Sequence, residues 1–325
     1  MKDIPIVFVW DGEGRTWRHS LLQEKPVRNL RAGETKKPSW FDGQVSRSVS
    51  YVQPVRPEPP KKEGKIWGYK ANRLLKGQAV LSRREILEQV PCLLEALDLL
   101  GIRSFKVSNL EGDDLIGILM RKIKRGGLFE EVIIHSTDKD FYQFLPIKDV
   151  RILKGVNNGA LSFVRPEEVV LEYGINASDW VKYRTIVGDK SDNIPSLIPG
   201  VGPVKAVKLL KAGLDASVKS PDEIPESAKV LVGDFLKGPV DWKEFWKKVR
   251  NNYLASHIVR DPDFELFSSR VKDDLKVLLG DLSRDSFLRD GKWRSTESYN
   301  ALSALFAEKG LITIKARREE FFELV

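Results

Sequence analysis

Short apolar runs alternate with longer segments of helical period over the first half of the chain. Four runs have the length and β-branched content of buried strands: Ile4–Trp10, Arg103–Val107, Glu131–His135 and Asp149–Lys154. Apolar residues recur at helical spacing from Ile86 to Leu100, behind a capping box at Ser82–Glu85. Asn157–Gly159 predicts a hairpin turn. Strands that alternate with helices predict an α/β fold, with a mainly parallel sheet flanked by helices.

The second half of the chain has a helical pattern. We predict helices at residues 167–173, 178–187, 241–249 and 297–309. The Trp and Phe residues of 241–249 are predicted to belong to the core. Three regions follow from these patterns: an α/β core at 1–175 with an insertion at about 19–80, a helical region at 176–265, and a C-terminal helical extension at 266–325.

Charge is distributed unevenly along the chain. The formal net charge is +8, from 54 Lys and Arg against 46 Asp and Glu. Between Arg15 and Lys76 there are 15 basic and 5 acidic residues, which leaves 39 basic and 41 acidic residues elsewhere. The whole excess of positive charge therefore lies in one early segment, and a polyanion is its expected partner.

Most of that basic segment shows no regular period. Residues 23–68 contain a cluster of prolines, and they are too many for a passive connection in a compact domain. The segment is therefore either disordered or a mobile binding loop. Its cations are interleaved with Trp40, Phe41, Tyr51 and Trp67. Cations that meet phosphates and rings that stack on bases suit single-stranded nucleic acid.

The single cysteine and the short apolar runs bound the cellular setting. Cys92 has no partner for an internal disulfide, as is typical of proteins from a reducing cytoplasm. The apolar run Ile4–Trp10 is too short to cross a bilayer and has no small-residue cleavage site after it. We therefore expect a cytoplasmic protein with no membrane partner.

Acidic residues recur where the predicted strands or helices begin or end. They are Asp11, Glu111, Asp113, Asp114, Asp138, Asp140, Asp189 and Asp192. The carboxyl ends of parallel strands share one edge of a sheet, so several of these acids should converge. The helix macrodipole alone accounts for acids at the start of one helix, but a cluster of carboxylates repels itself unless a cation lies within it. Convergence predicts Mg²⁺ or Mn²⁺, and two ions about 4 Å apart suit phosphodiester hydrolysis.

A glycine turn follows the last pair of acids. Gly188–Pro195 carries Asp189 and Asp192, and Gly200–Gly202 leads directly into the predicted helix that contains Lys205. Glycines let backbone N–H groups approach a phosphate at a helix N-terminus. A metal site beside a site for the nucleic-acid backbone predicts an enzyme that cuts phosphodiesters.

The three histidines favour no competing chemistry. His19, His135 and His257 are far apart in the sequence, which argues against a histidine-based zinc site and against a Ser-His-Asp triad. His135 closes a predicted strand and is expected to be a packed core histidine.

Three motifs resemble the signatures of the flap endonuclease and 5′-3′ exonuclease family. They are Glu111–Asp114, Ser136–Asp140, and Gly188–Pro195 with Gly200–Gly202 after it. Over about residues 5–210 the chain is most similar to the phage enzymes and to the 5′-nuclease domain of bacterial DNA polymerase I. The resemblance implies a PIN-like nuclease core followed by a helix-3-turn-helix (helix-hairpin-helix) region. It also implies hydrolysis of 5′ flaps and 5′ ends of DNA or RNA–DNA hybrids in replication, beside replication proteins, in the host cytoplasm if the gene is phage-encoded.

The resemblance further implies a role for each motif residue. The first Mg²⁺ would be held mainly by Asp11, Glu111, Asp113 and Asp114, and the second by Asp138, Asp140, Asp189 and Asp192. Lys70 and Arg73 would grip the scissile phosphate, with Tyr69 beside them in a helical arch formed by the basic segment. Gly200, Val201 and Gly202 would bind the duplex backbone, with a K⁺ ion as a further ligand of the turn, and Lys205 would add a cation there.

One departure from the family leaves alternatives open. Family members begin with an earlier strand that ends in a further metal-binding Asp, whereas this sequence starts at the strand Ile4–Trp10. The missing strand either precedes Met1, or comes from another chain, or has been lost together with its ligand. The favoured function is a structure-specific 5′ nuclease. The alternative is a junction-binding protein of the same fold that cuts poorly, and a PIN-domain toxin that cleaves RNA ranks third.

Overall fold

The structure is a computed structural model that describes residues 5–21, 89–157, 160–215, 220–287 and 296–308. Its first elements are strand β1 (Val7–Val9) and the short helix α1 (Arg18–Leu21). Residues 89–99 form helix α2, which ends at the left-handed Gly101, as the sequence predicts. The capping box at Ser82–Glu85 and most of the basic segment lie outside the described residues.

The remaining elements alternate between strands and helices up to β5 and are helical afterwards. They are β2 (Arg103–Phe105), α3 (Gly112–Gly126), β3 (Val132–His135), a 3₁₀ helix (Lys139–Phe144), β4 (Val150–Asn157), β5 (Ala160–Phe163), α4 (Pro166–Tyr173), α5 (Trp180–Val187), α6 (Pro203–Lys211), α7 (Glu226–Leu236), α8 (Trp242–Ser256), α9 (Ser269–Gly280) and α10 (Thr296–Glu308). Each predicted strand and helix that falls on described residues is therefore confirmed, with its bounds shifted by a few positions.

The described strands pair in two small sheets. Strand β1 pairs with β2 in parallel, and β3 pairs with β4 in parallel. Strand β5 returns antiparallel to β4, which agrees with a hairpin at this point, although residues 158–159 of the predicted turn lie outside the described residues. Two of these three pairings are parallel, and helices pack around both sheets, so the predicted α/β class is confirmed. Among the described strands the pairing is divided between two sheets, where the sequence pattern predicts one.

Two large hydrophobic cores are found among the described residues. One contains Trp180 and Ile186 of α5 together with residues of α6, α7 and α8. The other contains Leu115 and Ile118 of α3, and Leu275 of α9 also lies in it. Helix α9 thus packs against the strand-and-helix half of the chain. Phe245 of α8 is buried in the first core, as predicted, because the amphipathic helix turns its aromatic stripe inward.

Helix α3 has a distinct start and a distinct end. Glu111 is its N-cap in extended conformation, and Asp113 and Asp114 lie in its first turn, where the macrodipole favours acids. Lys124 lies in the last turn, and the helix ends at Gly127 with a φ of 59°. The sequence of acids, apolar face and glycine therefore fixes the position of Glu111 and Asp114 at the sheet edge.

Helix length and hydropathy bear on the membrane prediction. No helix within the described ranges combines the length and apolar character needed to cross a bilayer.

His135 differs from its prediction, because it is exposed at the end of β3, where the strand leaves the core. The prediction that it is a packed core histidine is wrong.

Candidate metal centre

Three carboxylates from two parts of the chain meet at one place. Asp140 lies in the first turn of the 3₁₀ helix that follows β3, and Asp189 and Asp192 lie in the loop after α5. One oxygen from each of them lies within 4.8 Å of the others. We call Asp140, Asp189 and Asp192 the acidic trio. The sequence prediction that distant acids converge is confirmed for these three residues.

Local backbone structure holds Asp140 in place. The side chain of Asp138 caps the 3₁₀ helix and accepts a hydrogen bond from the Asp140 backbone N–H at 2.9 Å. The backbone N–H of Asp138 in turn donates to Ser136 Oγ at 3.1 Å. Asp138 itself is exposed and stands beside the acidic trio, with its capping role as its observed contact. Its predicted role as a metal ligand stays a prediction.

A tight loop presents the other two acids. Asp189 and Ile194 exchange both backbone hydrogen bonds, at 2.8 and 2.7 Å. Gly188 precedes them with a φ of 72°, and a Cβ there would lie 2.4 Å from the Ile194 carbonyl oxygen. Only glycine fits this position without moving the loop. Ser191 donates from its backbone N–H and its hydroxyl to Asp189 Oδ1, which orients that carboxylate.

Arg184 of α5 reaches into the acidic trio. Its Nε lies 3.2 Å from Asp140 Oδ1, and its Nη2 donates to Asp189 Oδ2. Burial raises the pKa of Asp140 to about 6, a rise that Arg184 opposes and that the neighbouring carboxylates reinforce. Burial also opposes ionisation of Asp189, but the hydrogen bonds from Ser191 and the charge of Arg184 outweigh it and lower its pKa. The rise at Asp140 includes repulsion from Asp138, Asp189 and Asp192, so negative charge is concentrated around it.

The acids of the first motif lie around a different arginine. Arg18 is buried, and its Nη1 and Nη2 donate to the two oxygens of Asp114 at 2.6 and 2.7 Å. Nη1 also lies 3.1 Å from Glu111 Oε2. Asp114 accepts two further hydrogen bonds, from Trp17 Nε1 and from the Val259 backbone N–H. Asp114 is therefore the centre of a buried ion pair, which we call the Arg18 cluster.

Asp11 and Asp113 stand at the same end of α3. Asp11 Oδ1 accepts a hydrogen bond from the Gly112 backbone N–H at 2.8 Å, so the acid after β1 meets the start of α3 as the sequence predicts. Asp113 lies in the first turn of that helix and is partly exposed. The roles of Asp11, Glu111, Asp113 and Asp114 in holding a first metal stay predictions.

A short segment that begins in the last turn of α8 connects the two groups of acids. Gln143 of the 3₁₀ helix accepts from the Ile258 backbone N–H at 3.0 Å. Arg18 donates to the carbonyl oxygens of Ala255 and His257, and Val259 binds Asp114. Residues 255–259 thus tie the helix of Asp140 to the Arg18 cluster. The sequence patterns do not single out Arg18, Arg184 or Gln143. For Arg184 alone, its position on a predicted helix five residues before Asp189 could have suggested that it contacts that acid.

The glycine turn is exposed and leads into α6. Gly200 has a φ of 74°, and a Cβ at Gly200 or Gly202 would meet nothing within 4 Å. Gly202 is the N-cap of α6, and Lys205 is exposed in its first turn. Val201, between the two glycines, is buried, and its backbone N–H donates to the Ile198 carbonyl oxygen at 3.1 Å. Tyr69, Lys70 and Arg73 lie outside the described residues, so their predicted roles stay predictions.

Comparisons with known proteins agree with the motifs. Residues 57–174 match the family described as 5′-3′ exonuclease, N-terminal resolvase-like domain. The chain is 34% identical over 190 residues to DNA polymerase I of Bacillus subtilis (strain 168), covering 58% of this chain and 20% of the polymerase. It is 34% identical over 196 residues to a 5′-3′ exonuclease of Aquifex aeolicus (strain VF5), covering 60% of each. The chain thus spans between a fifth and three-fifths of these two relatives.

Solved structures add a weaker likeness. The T5 5′-exonuclease, solved with bound zinc ions, aligns with a TM-score of 0.45 and 16% identity. The alignment covers 65% of this chain and 75% of that protein.

Proposed function

Because residues 57–174 belong to the 5′-3′ exonuclease N-terminal resolvase-like family, we propose that this chain is a structure-specific 5′ nuclease. It hydrolyses phosphodiesters at 5′ flaps and 5′ ends of DNA or of RNA–DNA hybrids during replication. The observation that carries the proposal is the acidic trio, in which Asp140 from the 3₁₀ helix after β3 meets Asp189 and Asp192 from the loop after α5. Replication proteins are its proposed partners.

The residues of the acidic trio fit a hard divalent cation. Three carboxylate oxygens within 4.8 Å match the ligand preference of Mg²⁺ and Mn²⁺. Asp140 Oδ1 is buried and has no hydrogen-bond donor, so it retains a lone pair for coordination. A divalent ion held there supplies Lewis-acid activation of water and stabilises the charge of a leaving phosphate oxygen. The chain's own part is to hold the acids, which the Gly188 turn and the Asp138 cap do.

A second ion belongs to the proposal at the start of α3. Asp11, Glu111, Asp113 and Asp114 are its proposed ligands. Arg18 already neutralises Glu111 and Asp114, so the exposed Asp11 is the most accessible of the four. Asp114 also binds Arg18 and the backbone N–H of Val259, and so helps to hold the 255–259 segment in place.

Nucleic acid is proposed to bind on both sides of the acids. Lys70 and Arg73 would hold the scissile phosphate, with Tyr69 beside them, and the basic segment would take the single-stranded 5′ end. The open glycines of the Gly200–Gly202 turn would bind the duplex backbone through their N–H groups, with K⁺ as an additional ligand and Lys205 as a cation nearby. The alternative of a junction-binding protein that cuts poorly is not favoured, since relatives are named 5′-3′ exonucleases.

A flap-cleavage assay tests the proposal. The protein should cut a labelled 5′-flap oligonucleotide in Mg²⁺ and stop in excess chelator. Asp140→Asn and Asp189→Asn should each slow cleavage by at least about a hundredfold while flap binding persists, because each removes an anionic metal ligand. Asp273→Asn, an exposed carboxylate on α9, is the matched control and should cut normally. Tight flap binding with no metal-dependent product, or unchanged cleavage in Asp140→Asn, would reject the proposal.

A further inference from the structure

Arg184 occupies the place where a cation is needed. Its guanidinium contacts two members of the acidic trio, Asp140 and Asp189, and all three side chains are largely buried, with 15–19% of their surface exposed. Three ionised carboxylates so close together repel one another strongly when water is largely excluded. Arg184 therefore balances part of this charge in the absence of a metal ion.

A divalent ion and Arg184 need the same oxygens. Asp189 Oδ2 accepts from Arg184 Nη2, and Asp140 Oδ1 faces Arg184 Nε. An oxygen that coordinates a metal gives up most of its capacity to accept a hydrogen bond from a guanidinium, and two cations in one small site repel each other. Metal binding and the Arg184 contacts are thus in competition.

The geometry of the Arg184 contacts allows another cation to replace this arginine at the carboxylates. Asp140 Oδ1 and Arg184 Nε lie 3.2 Å apart, yet neither of these buried atoms makes an aligned hydrogen bond. Arg18 offers the contrast within the same molecule, because it donates to both Asp114 oxygens and to two backbone carbonyls. Arg18 is held by a complete set of hydrogen bonds, whereas Arg184 has a hydrogen bond from Nη2 to Asp189 Oδ2 but none from its Nε.

We propose that Arg184 is a resident counter-cation of the acidic trio, which a divalent metal must displace from Asp140 and Asp189 in order to bind. Arg184 then sets the metal affinity of the site and keeps the acids folded together before the metal arrives. It is a positioning residue for the metal. The inference rests on the proposed function, since it takes the acidic trio to be a metal site.

Metal binding without DNA tests the competition directly. Mn²⁺ binding to wild type and to Arg184→Gln is measured by calorimetry and by electron paramagnetic resonance. The variant should bind Mn²⁺ about tenfold more tightly or better, because the competing cation is gone. Lys182→Gln is the matched control, since Lys182 lies on the same helix and pairs with Asp179 and Asp215 instead. Its Mn²⁺ affinity should equal that of wild type.

A measurement on the unaltered chain covers the case in which Arg184→Gln fails to fold. The arginine Nε–H resonances are followed by ¹⁵N NMR during a Mg²⁺ titration, with Arg184 assigned from the signal missing in Arg184→Lys. The Arg184 signal should shift as Mg²⁺ is added, and the midpoint of that shift should fall at the Mg²⁺ concentration that half-saturates the site. The signal of Arg18 should not move. Equal or weaker Mn²⁺ affinity in a folded Arg184→Gln, or an Arg184 signal indifferent to Mg²⁺, would overturn the inference alone. Absence of any metal binding in wild type would overturn both the inference and the proposed function.

Discussion

Arg18 and Arg184 each neutralise a group of buried acids, but they do so in different ways. Arg18 is enclosed by Asp114, Glu111 and backbone carbonyls of the 255–259 segment, whereas Arg184 faces the acidic trio with an incomplete set of hydrogen bonds. A buried charge with every donor satisfied is a structural feature that the fold depends on. An arginine whose N–H donors are only partly hydrogen-bonded can give up its carboxylate partners more easily. The same residue type therefore serves the structure at one site and is proposed to govern metal binding at the other.

Removing Arg18 should be costly. Arg18→Met leaves Asp114 and Glu111 buried without their cation, and we expect a loss of about 3–5 kcal/mol in the free energy of unfolding. Urea denaturation followed by circular dichroism measures it. Arg250→Met is the control, because Arg250 pairs with Glu265 on the surface and its loss should cost at most about 1 kcal/mol. Equal effects in the two variants would contradict the structural role of Arg18.

His257 makes stability depend on pH. Burial lowers its pKa to about 4, with further lowering by the charges of Arg260 and Arg18, whereas the unfolded chain protonates near its ordinary value of 6.5. The unfolded state therefore binds the extra proton between these two values, so this stability is present above pH 6.5 and is lost as the pH falls toward 4. Wild type should lose about 2–3 kcal/mol more than His257→Gln between pH 7 and 4.5.

The difference between wild type and His257→Gln gives the contribution of His257 alone to the pH dependence of stability. Asp140, whose raised pKa gives the opposite slope below pH 6, is present in both and cancels. Urea unfolding at each pH is the measurement, and parallel pH profiles would refute the prediction.

At the scale of elements, helix α3 is placed by a close approach of backbone. A Cβ on Gly117 would lie 2.6 Å from the Val259 carbonyl oxygen and 2.9 Å from Ile258 Cγ2. The helix can therefore contact the 255–259 segment only because residue 117 has no side chain. That contact sets the depth of Asp114 beneath Val259, and so connects a glycine in a helix to the position of the acids.

Gly117→Ala should therefore destabilise the protein, against the usual preference of helices for alanine. We expect a loss of about 1–3 kcal/mol from overpacking. Gly233→Ala, inside α7, is the matched control, because a Cβ there meets nothing within 4 Å and should stabilise by about 0.5–1 kcal/mol. Thermal and urea unfolding measure both, and a stabilising Gly117→Ala would show that the approach is looser than described.

The sequence predicts most of the described strands and helices. Apolar runs predict β3, and a helical apolar period followed by Gly101 predicts the helix at residues 89–99, because local hydrophobic period and capping chemistry decide them. The division of the described strands into two sheets was not predicted. Pairing depends on partners far away in the chain, which local pattern does not encode.

At the scale of the whole molecule, the C-terminal half supports the acids through packing. Leu275 and Val271 of α9 lie in the same core as Leu115 and Ile118 of α3. The 255–259 segment binds Gln143 on one side and Arg18 on the other. The start of α3 and the acidic trio are thus held by elements on which no catalytic motif lies.

Leu275→Ala should lower the stability of the whole unit. Leu275 is fully buried, so a cavity in this core should cost about 2–5 kcal/mol. Val277→Ala is the control, since Val277 is 66% exposed on the same helix and its truncation should change stability by less than about 0.5 kcal/mol. Calorimetry measures both melting transitions. A transition of α9 separate from that of the remaining chain would contradict a shared core.

The sequence by itself determined the residue types, the acids at strand and helix ends, and the similarity of residues 57–174 to 5′-3′ exonucleases, because motif order and local period are properties of the chain alone. Only the tertiary structure decided which acids meet. It joined Asp140 to Asp189 and Asp192, and it gave Asp114 to Arg18. The physical reason is that these contacts depend on residues far apart in the chain: Arg18 and Asp114, for example, are 96 positions apart. The balance of buried charge is settled by distance in space.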